Sequence, residues 1–277
     1  MTSHLKIGGC VVFWKIGEFT RRSVLVDALS NEGMDASVPE PRTGAACLRD
    51  ALGDTFPKKQ SYKIFPKKVK DAFEVVSVKY NDTDDNSYET VLNVSIDKDD
   101  CITVRPYSFT IKGHIEDNFR KQLGRLRTAN VGQMLVSHCN ALNGTCLRPA
   151  GGLYWLPPSA MRSMKLMADA VSAAANVQGG NTVYFLTHEM NEDAVRAIRD
   201  AISDEVLAES ARIHDEIVSG ELGGRALKAR ASQAEALRVK IKSYDSILDC
   251  GLSYLKASVD KAEAAIAAGA VLEGAGA

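Results

Sequence analysis

The chain has 277 residues, enough for one sizeable core or a core domain with an appendage. Its 34 lysines and arginines are offset by 35 aspartates and glutamates, so no global field draws it to nucleic acid or an anionic membrane, and any such binding must come from a local patch. No run approaches the ~20 apolar residues of a membrane-spanning helix, and the apolar run within Met1 to Phe13 is too short for a signal peptide, which predicts no membrane partner.

Gly8 to Trp14 is rich in β-branched and aromatic residues and reads as a buried strand. Thr20 is placed to cap a helix through Val24, Leu25 and Leu29, with Gly33 as its stop. Thr43 is placed to cap a second helix through Ala46, Leu48 and Leu52. Pro57 to Lys70 is lysine-rich and interrupted by Pro66, which predicts a loop or an edge strand. Three alternating runs follow, Phe73 to Tyr80, Tyr88 to Ile96 and Cys101 to Pro106, separated by aspartate-rich turns. They predict a three-stranded antiparallel meander.

Ile115 to Leu142 has helical periodicity, with a break expected between Thr128 and Gly132. Gly151 to Pro158 reads as a strand, Ser159 as the cap of a helix carrying Met161, Met164, Met167 and Val171, and Thr182 to Thr187 as another strand. Two long helices then fill the C-terminal third. The first carries Val195, Ile198, Ile202, Val206, Ile213 and Ile217. The second repeats every seven residues through Leu227, Ala234, Ile241, Leu248, Leu255 and Ala262, a coiled-coil spacing. At ~1.5 Å per residue the first helix reaches about 40 Å and the second about 65 Å. Leu252, Leu255, Val259, Ala262 and Ile266 therefore lie beyond the first helix and need another partner, either the chain's own body or a second copy.

These elements predict an α+β protein. A mixed or antiparallel sheet with flanking helices spans 1–190, a long antiparallel helical hairpin or coiled-coil arm spans 191–270, and a flexible tail spans 271–277. The Gly8-Gly9…Trp14 and Gly151-Gly152…Trp155 segments echo each other. If the echo is real, both enter one sheet with their tryptophans on the same face.

The six cysteines, Cys10, Cys47, Cys101, Cys139, Cys146 and Cys250, are scattered, unlike a secreted disulfide scaffold. Reduced, mostly buried thiols in a cytoplasmic protein are expected. His138, Cys139 and Cys146 fall short of a zinc site, which needs four ligands at compact spacing. His188-Glu189 lacks the second histidine of a metalloprotease helix, because position 192 is Glu. The aspartates Asp82, Asp84, Asp85, Asp97, Asp99 and Asp100 suit turns. No phosphate loop, dinucleotide fingerprint or nucleophile elbow occurs, so no catalytic residue, metal ligand set or cofactor is assigned. The one patch with binding chemistry is basic and aromatic: Lys58, Lys59, Tyr62, Lys63, Lys67 and Lys68, with Arg120 and Arg127 as a possible extension. Lysines can hold a phosphate backbone while an aromatic ring stacks a base.

The Trp14 segment, Leu48-Arg49-Asp50-Ala51-Leu52, Gly152-Leu153-Tyr154-Trp155-Leu156-Pro157 and the terminal coiled coil, in that order, resemble uncharacterised proteins of phages, plasmids and bacteria. The resemblance is one of layout and implies no activity or cofactor. It favours a mobile-element origin. The leading expectation is a non-enzymatic binding or assembly protein, a homo-oligomer associating through Leu252, Leu255, Val259, Ala262 and Ile266. The second is nucleic-acid binding through the basic surfaces. The third is an enzyme of unknown class, supported only by His138, His188 and nearby carboxylates.

Overall fold

The structure, a computed structural model, describes residues 9–57, 61–79, 87–148, 151–187, 191–219, 223–248 and 252–275. In chain order the elements are β1 (Cys10–Lys15), β2 (Phe19–Arg21), α1 (Arg22–Ser30), α2 (Gly44–Thr55), β3 (Tyr62–Pro66), β4 (Ala72–Lys79), β5 (Ser87–Ile96) and β6 (Ile102–Arg105). Then come α3 (Phe109–Leu123), β7 (Arg125–Arg127), α4 (Thr128–Ala141), β8 (Thr145–Cys146), β9 (Leu153–Leu156), α5 (Met161–Ala173), β10 (Thr182–Thr187), α6 (Glu192–Val218), α7 (Gly224–Leu248) and α8 (Lys256–Ala275). All sheet pairings are antiparallel and the class is α+β, as expected.

Two compact units emerge. One is built from Ile16–Met134 and Ala170–Asn181, the other from Met1–Lys15, Leu135–Asp169 and Thr182–Ala277. The division therefore does not fall at residue 190. Helices α6 to α8 share a unit with strands drawn from both ends of the preceding sequence.

In the first unit, the alternating runs form a sheet in the order β3-β4-β5-β6. The expected meander is present, and the lysine-rich stretch adds β3 as an edge strand. Phe73, Val75, Leu92, Val94, Ile102 and Val104 are buried against Leu48, Ala51 and Leu52 of α2 and Ile115 and Phe119 of α3. Each fully buried leucine there contributes roughly 1.5–3 kcal/mol. Helix α2 starts where expected, because Thr43 accepts a hydrogen bond from the Ala46 N–H at 3.3 Å. Thr20 does not cap α1. It is fully buried within β2, where its hydroxyl accepts from Asn181 Nδ2 at 2.9 Å, and α1 begins at Arg22 without a side-chain cap. The break in the long helical pattern falls earlier than expected. Gly124 ends α3, and residues 125–127 are taken up by β7, whose pairing with β2 no local pattern announces.

The second unit holds a sheet in the order β10-β1-β9-β8. The two glycine–tryptophan segments are indeed neighbours there, with Val11 opposite Trp155 and Val12 opposite Tyr154. The tryptophans face opposite ways. Trp14 lies on the face of Val12 and stacks on Tyr154 at 5.7 Å, whereas Trp155 shares the face of Val11. The same-face expectation compared spacings along each strand, but register between antiparallel strands decides the face.

Trp155 and Val11 pack on the core of α6, α7 and α8, with Trp155 edge-on to Tyr244 at 5.2 Å. Asn191 caps α6 by accepting from the Ala194 N–H at 2.9 Å. The heptad row Leu227, Ala234, Ile241, Leu248, Leu255 and Ala262 is buried throughout. It does not form a two-helix arm. Helix α7 is described as far as Leu248, and from a short 3-10 turn at Leu252–Leu255 the chain continues as a separate helix, α8. A Cβ on Gly269 would lie 3.3 Å from both Ile217 and Leu227, so the far part of α8 reaches the end of α6 and the start of α7. Arg238 of α7 donates to Glu263 at 2.6 Å. The result is a three-helix bundle.

Leu252, Leu255, Val259 and Ala262 are at most 1% exposed, and Ile266 packs on the same core. Their burial is supplied within the chain, which removes the reason for expecting a second copy there. The expected length of about 65 Å holds only for one uninterrupted helix, whereas α7 and α8 are separate. The expected flexible tail from 271 is helical to Ala275. Among the described residues no helix is long and apolar enough to cross a membrane.

Candidate functional site

Helix α2 buries Leu48, Ala51 and Leu52, so helical spacing turns Arg49, Asp50, Gly53 and Asp54 away from the core. These residues form one wall of a cavity of about 1110 Å³. A second wall is the edge strand β3, through Tyr62, Lys63, Ile64 and Phe65. Glu18 and Phe19 at β2, Arg127 of β7 and the first residues of α4, Thr128 and Ala129, complete it.

A polar network lies at the α2 wall. Asp50 accepts from Arg42 at 2.5 Å and from Arg127. Arg42 also donates to Gln122 at 3.3 Å, and Gln122 donates to Asp54 at 2.8 Å. Burial of the Asp50 carboxyl opposes its ionisation, but the hydrogen bonds and charges of Arg127 and Arg42 outweigh it, so its pKa lies below the ordinary 3.8. Two cations at the cavity, Arg49 and Lys63, have no carboxylate partner among the described residues. The aromatic lining is Phe19, Phe56, Tyr62 and Phe65. Phe56 and Tyr62 meet edge to face at 5.4 Å, and Arg125 lies over the Phe19 ring at 4.6 Å.

Register decides which β3 groups face the cavity. The Val78 N–H donates to Ser61 O at 2.7 Å and the Lys67 N–H to Ala72 O at 2.9 Å. Antiparallel alternation then turns the backbone groups of Lys63 and Phe65 toward β4 and those of Tyr62 and Ile64 toward the open edge. The side chains of Lys63, Phe65 and Tyr88 share the sheet face opposite α2 and α3. Lys63 sits 5.1 Å above the Tyr88 ring, and Phe65 and Tyr88 are 44% and 54% exposed.

Of the basic and aromatic residues singled out from sequence, Tyr62, Lys63 and Arg127 meet at this cavity. Lys67 donates to Asn93 at 2.7 Å, on the same sheet face, and Lys68 is exposed. Arg120 is not part of this surface. It pairs with Asp117 at 3.2 Å and lines a separate hollow of about 300 Å³ with Asp100, Lys112 and Glu116. Lys58 and Lys59 lie outside the described residues, as do Asp82, Asp84, Asp85, His188, Glu189 and Cys250.

Sequence reasoning missed Arg49, Asp50, Phe19, Phe56 and Gln122. One signal was present: Gln122, 2% exposed, interrupts the apolar stripe of Phe119 and Leu123, and a polar residue there needs a partner.

The remaining candidates are structural. His138 is half-buried with Nε2 3.3 Å from Ser163 Oγ, and burial outweighs a backbone hydrogen bond at Ser163 to hold its pKa below 6.5. Burial pushes the Cys10 thiol up to about 11 and the Cys139 thiol to about 12, the opposite of an activated nucleophile. Asp97 serves its turn, accepting from the N–H groups of Asp99 and Cys101, both at 2.9 Å. No group of three or more potential metal ligands occurs among the described residues.

The model of a family described as "Family of unknown function (DUF6744)" matches residues 7–273, and the chain belongs to that family. No curated protein matches the chain. No solved structure matches it either.

Proposed function

We propose that this member of the family is a binding protein whose ligand is a single-stranded nucleic acid, seated in the cavity beside β3 and continuing over the strand onto the open sheet face. One observation carries the reading: a cavity of about 1110 Å³ whose walls set the rings of Phe19, Phe56 and Tyr62 beside Arg49 and Arg127, with Lys63 and Phe65 on the outer face of its edge strand. Aromatic faces accept any base, at roughly 1–3 kcal/mol per stacked base. Cations spaced along the wall suit a phosphate backbone. The volume slightly exceeds the roughly 300–1,000 Å³ typical of small-molecule clefts, which suits an extended ligand. Phe65, Tyr88, Lys63 and Lys67 repeat the same chemistry outside the cavity. A net charge of −1 makes the attraction local.

The test is fluorescence anisotropy with labelled pyrimidine-rich DNA and RNA single strands of about 20 nucleotides, long enough to span one site. Affinity is expected to fall steeply between about 50 and 200 mM salt, and to fall roughly tenfold or more in Arg49→Glu and Lys63→Glu. Both positions are exposed and outside the core, so the variants retain the fold. Absence of binding by the wild type at low salt, or an affinity indifferent to both charge reversals, overturns the proposal.

A further inference from the structure

Strand β10 is an edge. Its only partner among the described residues is β1. Which of its backbone groups are free follows from one hydrogen bond at the other end of the sheet. The Leu147 N–H donates to Leu153 O at 2.8 Å, which makes Leu147 and Leu153 a hydrogen-bonded pair. Alternation then turns the backbone of Leu153 and Trp155 toward β8, and that of Tyr154 and Leu156 toward β1. In β1, Cys10 and Val12 answer β9, so Val11 and Phe13 turn to β10, opposite Leu186 and Tyr184. What remains facing outward is the backbone of Val183, Phe185 and Thr187.

Natural edge strands are guarded by lysine, proline or a bulge. Strand β3 is guarded: it contains Lys63 and Pro66 and is followed by Lys67. Strand β6 carries Arg105. Strand β10 reads Thr-Val-Tyr-Phe-Leu-Thr, with no charge, proline or glycine, and no bulge in its pairing with β1. Tyr184 and Leu186, on one face of it, are 41% and 53% exposed.

We propose that this edge is an interface between two copies of the chain, with β10 pairing with β10 of a second copy, antiparallel and centred on Phe185. Among two-fold registers this one uses all three outward residues. Phe185 faces its own counterpart, and Val183 faces Thr187 in both directions. The same register sets Tyr184 directly opposite Leu186 of the other copy, twice, so each exposed ring is covered by an exposed aliphatic side chain. The absence of charge makes self-pairing free of repulsion, whereas β3 paired with itself would oppose lysines. The contact is isologous and stops at two copies. One strand pair is small against the roughly 1,200–2,000 Å² of a stable complex, so the dimer is weak and concentration-dependent.

Sedimentation velocity across about 1 to 200 µM tests this, because a micromolar Kd shifts the mass within that window. The wild type is expected to move from monomer to dimer, and Leu186→Lys to remain monomeric with an unchanged circular dichroism spectrum. Cysteine pairing tests the register. Directly opposed residues of a non-hydrogen-bonded pair stand about 4.5 Å apart at Cα, within disulfide range. A mixture of Tyr184→Cys and Leu186→Cys proteins is expected to form a mixed disulfide under mild oxidation, far exceeding either variant alone or the wild type. A wild type that stays monomeric throughout overturns the proposal. So does a dimer that survives Leu186→Lys or gives no preference for the mixed disulfide.

Discussion

Lys240 of α7 donates from Nζ to the carbonyl oxygen of Gly144, in the turn before β8, at 2.6 Å, and its second hydrogen bond goes to Glu205 of α6, also at 2.6 Å. The ammonium is buried, with 7% of its side chain exposed. One cation therefore fastens two helices of the bundle to the turn beneath them. Lys240→Met keeps most of the stem but leaves Glu205 and the carbonyl without their donor. It is expected to lower stability by about 1–3 kcal/mol, read by urea unfolding at fixed slope.

His138 gives the protein a pH dependence near neutrality. Its folded pKa is below 6.5, so the fold favours the neutral ring. Its contribution is complete above about pH 6.5 and is lost as pH falls through the folded value. Thermal unfolding should show a drop in Tm between about pH 7 and 5.5 that is smaller in His138→Gln.

Asp50 acts in a lower window. With its folded pKa under 3.8, its ion pairs with Arg42 and Arg127 contribute at neutral pH and fail only as pH falls below that range. Asp50→Asn is expected to cost about 1–3 kcal/mol at pH 7, because two guanidiniums lose a charged acceptor. Its stability should converge with that of the wild type in strong acid. Denaturant titrations at both pH values check this.

The third helix of the bundle is core. Leu255→Ala, at a position with no exposure, is expected to cost about 2–5 kcal/mol through lost burial and the cavity left behind. Deletion of Leu252 to Ala277 should expose the faces of α6 and α7 and raise binding of a hydrophobic dye, measured alongside circular dichroism. A truncated chain that unfolds as cooperatively as the intact one would contradict the buried position of α8.

Gly144 has no room for a side chain. A Cβ there would meet Leu156 at 2.6 Å and the Cys139 carbonyl oxygen at 2.8 Å. The second contact is backbone and cannot swing aside. Gly144→Ala should therefore lower the unfolding midpoint by an amount equivalent to about 1–3 kcal/mol.

Much of the local architecture was legible before any coordinates. The meander was, because its three runs alternate in sequence and β5 and β6 bury one face, although β4 is buried on both. The cap at Thr43 was, because an N-cap acts within three residues. The heptad row correctly marked a buried seam. What it could not reveal is how many helices share that seam: period 3.5 fits two helices or three, and nothing in the spacing required the 3-10 turn at Leu252–Leu255 that separates α7 from α8. The β2–β7 ribbon was invisible for another reason. Three-residue strands carry no measurable period, and Thr20 meets Leu126 only through the fold. The cavity lay between these cases. Tyr62 and Lys63 stood out as composition, but Arg42, Asp50 and Gln122 meet through tertiary packing alone.

The opposed tryptophans of the β1–β9 pair have a practical consequence. The chain has only these two, Trp14 and Trp155, and both belong to the unit that contains the helical bundle. Intrinsic tryptophan emission is thus blind to the melting of the meander unit and reports on the other unit from both sides of one sheet. Trp155, sealed at 1% exposure, is the blue-shifted chromophore, and Trp14, half-buried against Tyr154, is the one within reach of a soluble quencher. A fluorescence transition that parts company with the far-ultraviolet signal would time the two units separately, with no label attached.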